Sequence, residues 1–337
     1  MDSQLELVQS LSVKTPTRIL LVVMDGVGDL PIADLGMRTP LEAASTPNLD
    51  RLAPSCSLGL LDPIMPGVTP GSGPGHMGLF GYDPVASMVG RGVLEGLGIG
   101  FEFTPRDVAA RFNFATMDPS GRITDRRAGR IGSDESAALC ERLQAAIPSV
   151  EGAEIVVRPV KEHRGLVVFR GDGLGPRLPD TDPQVTGVPA LDPRGLDAPS
   201  ARTAAAAAEF VRRANAVLAG EKKASTLLLR GFSRYEPLPQ FGDVYRVSAA
   251  AIAVYPMYRG LARLASMGIL DAGATIADEA AALARAWHSH DYFFLHVKKT
   301  DSYGEDGDWK RKTAVIEEVD RVLVPAILAL DPPPDVL

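Results

Sequence analysis

The chain has 337 residues, of which 45% are hydrophobic and 23% charged, a composition typical of a soluble globular protein. This length exceeds what one ordinary core organises and predicts two domains. The net charge of -7 and pI near 5.4 argue against a nucleic-acid partner, which requires a basic face. A small anionic substrate remains compatible, because local arginines can oppose the overall charge.

Cys56 and Cys140 show no metal-type spacing, and we interpret both as reduced, buried residues of a cytoplasmic protein. No segment approaches the roughly 18 consecutive apolar residues of a membrane helix, so no membrane partner is expected. Residues 1–17 lack the regions of a signal peptide and predict a flexible N-terminal extension. The oligomeric state has no signal in the sequence.

The first predicted element is a strand at residues 18–24, RILLVVM, which ends in Asp25 and Gly26. A continuous apolar run predicts a strand buried on both faces of a parallel sheet. Ligand sites in such sheets lie at the carboxyl ends of the strands, so Asp25 is a candidate functional carboxylate. The alternative is an aspartate that only serves the turn. Residues 46–52 then predict a helix with proline in its first turn.

Residues 66–84, PGVTPGSGPGHMGLFGYDP, are the least ordinary stretch of the chain. Glycine permits positive φ and close backbone approach, while proline fixes φ, so a tight, rigid loop with Ser72 at its apex is predicted. His76 follows four residues later. One interpretation is a simple surface loop, and the other is a nucleophile loop that presents Ser72 to a metal ion.

The middle of the chain predicts strands at residues 109–118, 154–160 and 166–170. An alanine-rich helix is expected at 201–218, and strands at 227–229 and 249–254 are expected to return to the main sheet. A covering helix follows at 258–267. The apolar run 292–297 repeats the first pattern, with Asp301 after the strand, so the ends of two parallel strands are predicted to converge.

Several motifs occur in a recognisable order from Arg18 onward: DGVGD, STPNLDRLA, TPGSGPGHMGLFGYDP, GRGVLEGLGIG, NFATMDPSGRITDRRAGRI, KEHRGLVVFRG, DTDP, TLLLRGF and HVKKTDSYGEDGD. Together they resemble the archaeal-type, cofactor-independent phosphoglycerate mutases of the alkaline phosphatase superfamily. The resemblance covers nearly all of the chain.

This resemblance implies two divalent cations, Mn²⁺ or Mg²⁺, a transiently phosphorylated serine and no 2,3-bisphosphoglycerate. Asp25 and Ser72 match the ligands of one cation, and Ser72 is also the phosphoryl acceptor. Asp301 and Glu305 match the second cluster. Many relatives have histidine where this chain has Glu305, and glutamate suits Mg²⁺ or Mn²⁺ better than zinc.

The family continues beyond the helix predicted at 311–330 into another strand, a DHSTP segment and a further histidine, which supply the remaining ligands. This chain ends at DPPPDVL and is interpreted as a C-terminally truncated member. We do not expect His163, His288 or His290 to replace the missing ligands.

The predicted substrate site consists of arginines in an acidic protein, together with one histidine: Arg91, Arg126, Arg127, Arg130, Arg164 and His76. Guanidinium groups bind phosphate and carboxylate through two hydrogen bonds. The alternative for the run at 123–131 is a solvated basic turn. Candidates for the general acid and base are Asp125, Asp180 and Asp182.

The predicted fold is a three-layer, alkaline-phosphatase-like α/β sheet domain built from residues 18–104 and 201–337. An α+β substrate-binding cap at 105–200 interrupts it. The predicted function is interconversion of 2-phosphoglycerate and 3-phosphoglycerate through phosphoserine. The alternatives are another metal-dependent phosphatase or phosphotransferase of this fold, and a noncatalytic fragment that only binds ligand.

Overall fold

The computed structural model describes residues 3–87 and 89–331. The chain divides into two compact units. Unit 1 combines residues 1–85 with residues 238–337, and unit 2 is the intervening segment 86–237.

Unit 1 begins with α1 Ser3–Leu11, β1 Ile19–Met24, α2 Pro40–Ala43, α3 Pro47–Leu52 and α4 Ser72–Leu79. Unit 2 contains α5 Arg91–Gly98, β2 Asp107–Met117, β3 Ile123–Asp125, α6 Ser133–Ala146, β4 Ser149–Val150, β5 Ala153–Lys161, β6 Arg164–Arg170, α7 Ala198–Val217 and β7 Thr226–Ser233. Unit 1 resumes with α8 Phe241–Tyr245, β8 Ala249–Ala253, α9 Pro256–Leu264, β9 Gly268–Ile269, α10 Ile276–Ala286, β10 Tyr292–Val297, α11 Lys299–Glu305, α12 Trp309–Glu318 and α13 Val324–Leu328. Short 3-10 turns lie at Ala33–Leu35, Ala53–Ser55 and Ala128–Arg130, and a π-helical turn at Val319–Leu323 joins α12 to α13.

In the described part of unit 1, the strands form a parallel sheet in the order β1, β10, β8, β9. The strand predicted at 18–24 is present and begins at Ile19. The prediction that it is buried on both faces is wrong, because β1 lies at the edge of this sheet and Ile19 is 50% exposed. The central strand β10 is the one that is buried along its whole length.

Strand β10 shows how helices cover both faces of this sheet. Phe293, Leu295 and Val297 pack into a core with α10, α12 and α13. Phe294 and His296 point to the other face, where Phe80 lies 4.9 Å from the Phe294 ring at the end of α4 and Tyr258 of α9 stacks on His296 at 3.5 Å. The side-chain alternation of a strand therefore produces helix, sheet and helix layers, as predicted.

Unit 2 is organised around an antiparallel sheet, in which β2 pairs with β6, with β7 and, at its end, with β3. Strands β5 and β4 continue the sheet beyond β6. The even-numbered apolar residues of β2, from Val108 to Phe114, pack against α6 and α7 in the main core of this unit. On the opposite face, Ala109 packs with Val93 of α5.

The expectation that residues 227–229 return to the parallel sheet is wrong. They belong to β7, which pairs with β2 in register Leu229 to Phe112 and Leu227 to Phe114. Their apolar side chains fit the antiparallel core of unit 2, and sequence pattern does not specify which sheet a strand joins. Since α5 and α7 pack on this sheet and β7 belongs to it, unit 2 extends beyond the cap predicted at 105–200 on both sides in the sequence.

The two ends of the chain also differ from expectation. The segment predicted as a flexible extension contains α1, which lies against α8 and whose Leu5 side chain is only 4% exposed. The helix predicted at 311–330 is present as α12, the π-helical turn and α13. The strand suggested by DPPPDVL falls mainly on residues 332–337, outside the described residues. Cys140 is buried as predicted, but Cys56 is half-buried.

Candidate functional site

Two carboxylates meet around one ammonium group at the carboxyl ends of β1 and β10. These strands are parallel neighbours, and the Asp25 N–H donates to the Val297 carbonyl at 3.0 Å. The segments that follow β1 and β10 therefore leave the sheet at the same edge. Lys298 follows β10 directly and places Nζ 2.9 Å from Asp25 Oδ2. It also binds Asp301 Oδ2, three residues further along the first turn of α11.

Hydrogen bonds hold Asp25 from both its side chain and its backbone. The Tyr258 hydroxyl donates to Asp25 Oδ2, and Lys298 Nζ lies 3.1 Å from the same hydroxyl oxygen. The Thr300 hydroxyl donates to the Asp25 carbonyl at 2.6 Å. Burial raises the pKa of Asp25, but the Tyr258 hydrogen bond and the Lys298 charge outweigh it and the net shift is downward. Asp25 is therefore ionised at neutral pH.

A buried aromatic and imidazole cluster lies behind Asp25. His296 Nε2 is 3.6 Å from Asp25 Oδ2, and burial together with His76 lowers the pKa of His296 to about 3, so the ring is neutral at pH 7. The His76 ring lies 5.2 Å from His296 and 4.8 Å from Tyr258. His76 Nδ1 is 2.7 Å from the Ser72 carbonyl oxygen. This chain of contacts brings the Ser72 backbone and Asp25 into one neighbourhood.

Ser72 is the first residue of α4, not the apex of an irregular loop. The helix is capped by Gly71 in an extended conformation, and Gly78 packs so closely on Pro63 that an added Cβ would lie 1.9 Å from its carbonyl oxygen. The glycines that predicted a loop instead permit this close helix packing. The predicted rigid loop is thus wrong from Ser72 to Leu79, while Ser72 itself is half-buried.

The remaining predicted metal ligand, Glu305, lies at the end of α11 and is exposed. Within residues 3–87 and 89–331, no group of three or more histidine, cysteine or acidic side chains is arranged to hold a metal ion. Lys298 occupies the space between Asp25 and Asp301. The residues described here therefore do not fit a two-metal centre as they stand.

The predicted arginines are all in unit 2, where they occupy different surroundings. Arg126 donates two hydrogen bonds to Asp182 at 2.7 and 2.8 Å, and the Asp182 side chain is fully buried. Arg127 and Arg130 are exposed and, with Arg164, lie near the buried His163. Burial and these positive charges lower the pKa of His163 to about 3.

The three acid and base candidates are engaged in structural hydrogen bonds. Asp125 accepts the backbone N–H groups of Arg127 and Gly129 at 2.8 and 2.7 Å, which shapes the arginine-rich turn. Arg230 Nε donates to Asp180 at 3.0 Å, and Arg230 Nη1 forms an ion pair with Asp182 at 3.3 Å. Asp180 and Asp182 thus position guanidinium groups.

Sequence reasoning missed the residues that surround the predicted ones. In unit 1 these are Lys298, Tyr258 and His296. The signal for two of them was present, since a histidine interrupts the apolar strand YFFLHV and a lysine follows it at once. In unit 2 the missed residues are Glu95 and Arg230. Glu95 lies in the predicted GRGVLEGLGIG motif, but nothing in its spacing indicates burial beside an arginine.

These features define an α/β protein with a parallel-sheet unit and an inserted antiparallel unit, and solved structures share this fold. The cofactor-independent phosphoglycerate mutase from Thermoplasma acidophilum aligns over 92% of this chain and 83% of its own, with TM-score 0.62 and 32% identity. A solved protein from Pyrococcus horikoshii aligns over 92% of this chain and 78% of its own, with TM-score 0.73 and 29% identity.

Sequence comparison narrows the class to one family. A model of the family described as 2,3-bisphosphoglycerate-independent phosphoglycerate mutase matches residues 53–223. A relative from Thermotoga neapolitana, named "Probable 2,3-bisphosphoglycerate-independent phosphoglycerate mutase", is 51% identical over 98% of this chain and 81% of its own length. A relative of the same name from Thermus thermophilus is 48% identical over 96% of this chain and 80% of its own. The chain belongs to this family, which confirms the resemblance.

Proposed function

We propose that this protein interconverts 2-phosphoglycerate and 3-phosphoglycerate without 2,3-bisphosphoglycerate. It would be a cytoplasmic isomerase that acts on a small-molecule substrate. The observation that carries the proposal is the 51% identity to a relative named for this activity over 98% of the chain. Among the described residues, no helix has both the length and the apolar character needed to cross a bilayer.

Ser72 is the proposed phosphoryl acceptor. The phosphoryl group leaves one glycerate hydroxyl oxygen for Ser72 Oγ, the serine proton goes to the departing alkoxide, and the reverse transfer delivers the group to the other hydroxyl. Ser72 begins α4, and a helix N-terminus favours the negative charge of a phosphoryl group. His76, one turn later, holds the Ser72 carbonyl and so orients this first turn.

Asp25, Lys298 and Asp301 form the charged part of the proposed site in unit 1. The two carboxylates are hard oxygen donors of the kind that Mn²⁺ or Mg²⁺ prefers. The proposed activity of this protein therefore includes dependence on such a cation. In the described residues, however, Lys298 holds both carboxylates and no third ligand of this type joins them. A cation that binds between them must displace the ammonium group.

The arginines of unit 2 are proposed to bind the anionic groups of phosphoglycerate. Arg91, Arg127 and Arg130 are exposed, and Arg164 is partly exposed, so these guanidinium groups are accessible to a ligand. Arg126 is directed toward Asp182 by a two-point ion pair and is positioned by it. Guanidinium groups suit both phosphate and carboxylate, the two charged groups of the substrate.

The test follows both phosphoglycerates by phosphorus NMR in samples taken from a reaction of the intact chain with added Mn²⁺, after the paramagnetic ion has been removed on a chelating resin. Ser72→Ala is expected to lower the rate by at least about 10³-fold, as for loss of a nucleophile. Ser57→Ala removes an exposed hydroxyl and should leave the isomerisation rate unchanged. Trapping of phosphate on Ser72 by mass spectrometry supports the intermediate. Release of inorganic phosphate without isomer exchange would instead indicate a phosphatase.

A further inference from the structure

The segment that follows β1, residues 25–29 with sequence DGVGD, is held at both of its ends. At the first end, the Thr300 hydroxyl donates to the Asp25 carbonyl at 2.6 Å, and Gly26 packs directly on Asp301. Both of these contacts are with α11. At the other end, Gly28 and Asp29 bind a side chain of the next helix, α12.

Lys312 makes this second contact. Its Nζ donates to the Gly28 carbonyl at 2.8 Å and to Asp29 Oδ2 at 2.7 Å. Lys312 is only 1% exposed, and a lysine is almost never buried to this extent unless its charge is paired. The Lys312 hydrogen bond lowers the pKa of Asp29, so this carboxylate is ionised at neutral pH and supplies the counter-charge.

A tight turn between α11 and α12 directs Lys312 toward the 25–29 segment. Gly307 has a φ of +69°, and the Asp308 N–H donates to the Tyr303 carbonyl at 2.8 Å, so α12 folds back against α11. The Lys312 side chain then passes Gly304 of α11, where an added Cβ would lie 3.2 Å from Nζ. The ammonium group therefore occupies a narrow space between α11 and the 25–29 segment.

The two ends of the segment are not independent, because its middle has little freedom to move. Gly26 has a φ of +58°, and an added Cβ there would lie 2.8 Å from the Asp301 Cβ atom. Lys312 fixes the backbone two residues further along. The position of Asp25 relative to Asp301 therefore depends on the contact with α12 as well as on the contacts with α11. In an active site, a displacement of about 1 Å can cost up to about 10²-fold in rate.

We propose that Lys312 is a positioning residue of the unit 1 site, which fixes the segment that carries Asp25 against the helix that carries Asp301. It acts through the Gly28 carbonyl and the Asp29 carboxylate, and its own ammonium group stays buried. The effect on isomerisation rests on the proposed function, whereas the effect on the 25–29 segment does not.

The first experiment measures kcat and KM for 3-phosphoglycerate with the intact chain. Lys312→Met removes both hydrogen bonds and is expected to lower kcat at least about tenfold. KM should stay within about twofold of the parent, because the arginines proposed to bind the substrate belong to unit 2. Lys310→Met removes an exposed lysine of the same helix and should leave both constants unchanged. A lower thermal midpoint with an unchanged kcat would show a purely structural role and overturn the proposal.

Asp29→Asn tests the same contact with a smaller change, since the Asp29 side chain is 30% exposed and asparagine has a similar shape. It weakens one of the two hydrogen bonds, so kcat is expected to fall about threefold. The double variant should have the kcat of Lys312→Met alone, because both changes remove one contact. Losses that multiply would overturn the route through Asp29. If Lys312→Met does not fold, a parental kcat in Asp29→Asn overturns the proposal.

The second experiment is hydrogen–deuterium exchange measured by mass spectrometry, which does not depend on the activity. Lys312→Met is expected to speed exchange of the amides of residues 26–30 at least about fivefold and to leave those of β10 unchanged. An equal increase throughout unit 1 would indicate general destabilisation and overturn the proposal. A local increase, in a protein whose parent has no isomerase activity, would uphold the positioning of this segment and reject only the proposed function.

Discussion

The two units contain charged clusters of opposite composition. In unit 1, Asp25 and Asp301 share the ammonium of Lys298, with 2.9 Å between Lys298 Nζ and Asp25 Oδ2. In unit 2, several guanidinium groups lie around one carboxylate, and Arg111 is 3.7 Å from Glu95. The first cluster is closely hydrogen-bonded, whereas buried polar atoms in the second have no partner among the described residues.

This difference follows from where each cluster lies in its sheet. Parallel strands that are neighbours end at one edge, so residues just after β1 and β10 meet there without further help. The arginine cluster lies on the face of an antiparallel sheet and takes its members from α5, β2, β6 and β7. Such a cluster depends on the register of three strands and on helix packing, which are long-range properties.

Removal of the shared ammonium should have the largest effect on stability. Lys298→Met leaves Asp25 and Asp301 partly buried without a counter-charge and is expected to lower the free energy of unfolding by about 2–4 kcal/mol. Urea unfolding at pH 7.5 measures this, with Lys310→Met as the exposed control. Recovery of stability on addition of Mn²⁺ would show that a cation fits between the carboxylates, and no recovery would contradict a cation site there.

Two ion pairs in unit 2 have similar hydrogen-bond geometry but different burial, so they distinguish the effects of burial and geometry on stability. Arg170 donates to Asp107 at 2.7 and 2.9 Å, and Arg106 donates to Asp172 at 2.8 and 3.1 Å. The Asp107 side chain is fully buried, whereas that of Asp172 is 84% exposed. Arg170→Met should therefore cost about 2–4 kcal/mol of unfolding free energy, and Arg106→Met should not change the thermal midpoint measurably. If both substitutions lowered the free energy of unfolding equally, hydrogen-bond geometry alone would determine the contribution of these ion pairs.

The close approach of the two strand ends in unit 1 depends on Gly26. Its φ is +58°, and an added Cβ would lie 2.8 Å from the Asp301 Cβ atom. Gly26→Ala is expected to lower the free energy of unfolding by about 1–3 kcal/mol and to reduce isomerase activity, because Asp301 must move. Gly28→Ala, where an added Cβ meets no atom within 4 Å, is the matched control for thermal unfolding and activity.

A buried carboxyl group on α10 provides the smallest predicted effect. Burial raises the pKa of Glu279 to about 8, against the opposing charge of Lys299. The folded protein therefore keeps a proton that the unfolded chain loses above pH 4.5, and this group lowers stability as pH rises toward 8. Glu279→Gln should raise the thermal midpoint at pH 8.5 by roughly 2–6 °C and change it little at pH 5. The exposed control Glu135→Gln should have the thermal midpoint of the parent at both pH values.

Several elements were predictable because their signals are local. The strands around 18–24 and 292–297 are short apolar runs, and Asp25 and Asp301 follow them by a few residues. The helix at 46–52 was marked by its proline. The loop predicted at Ser72 was wrong because glycines that usually break helices here allow α4 to pack against Pro63. The sheet predicted for β7 was wrong because the apolar sequence of a strand does not specify which strand it pairs with.

By itself, the sequence determined the order of the motifs, the family and the carboxylates at the ends of the first and last sheet strands. Only the tertiary structure decided that Lys298 would lie between Asp25 and Asp301 and that Glu95 would be buried beside Arg111. The physical reason is that local patterns report backbone preference and hydrophobic periodicity. The surroundings of a charge, and with them its pKa and its counter-charge, come from segments that are distant in sequence and meet only when the chain has folded.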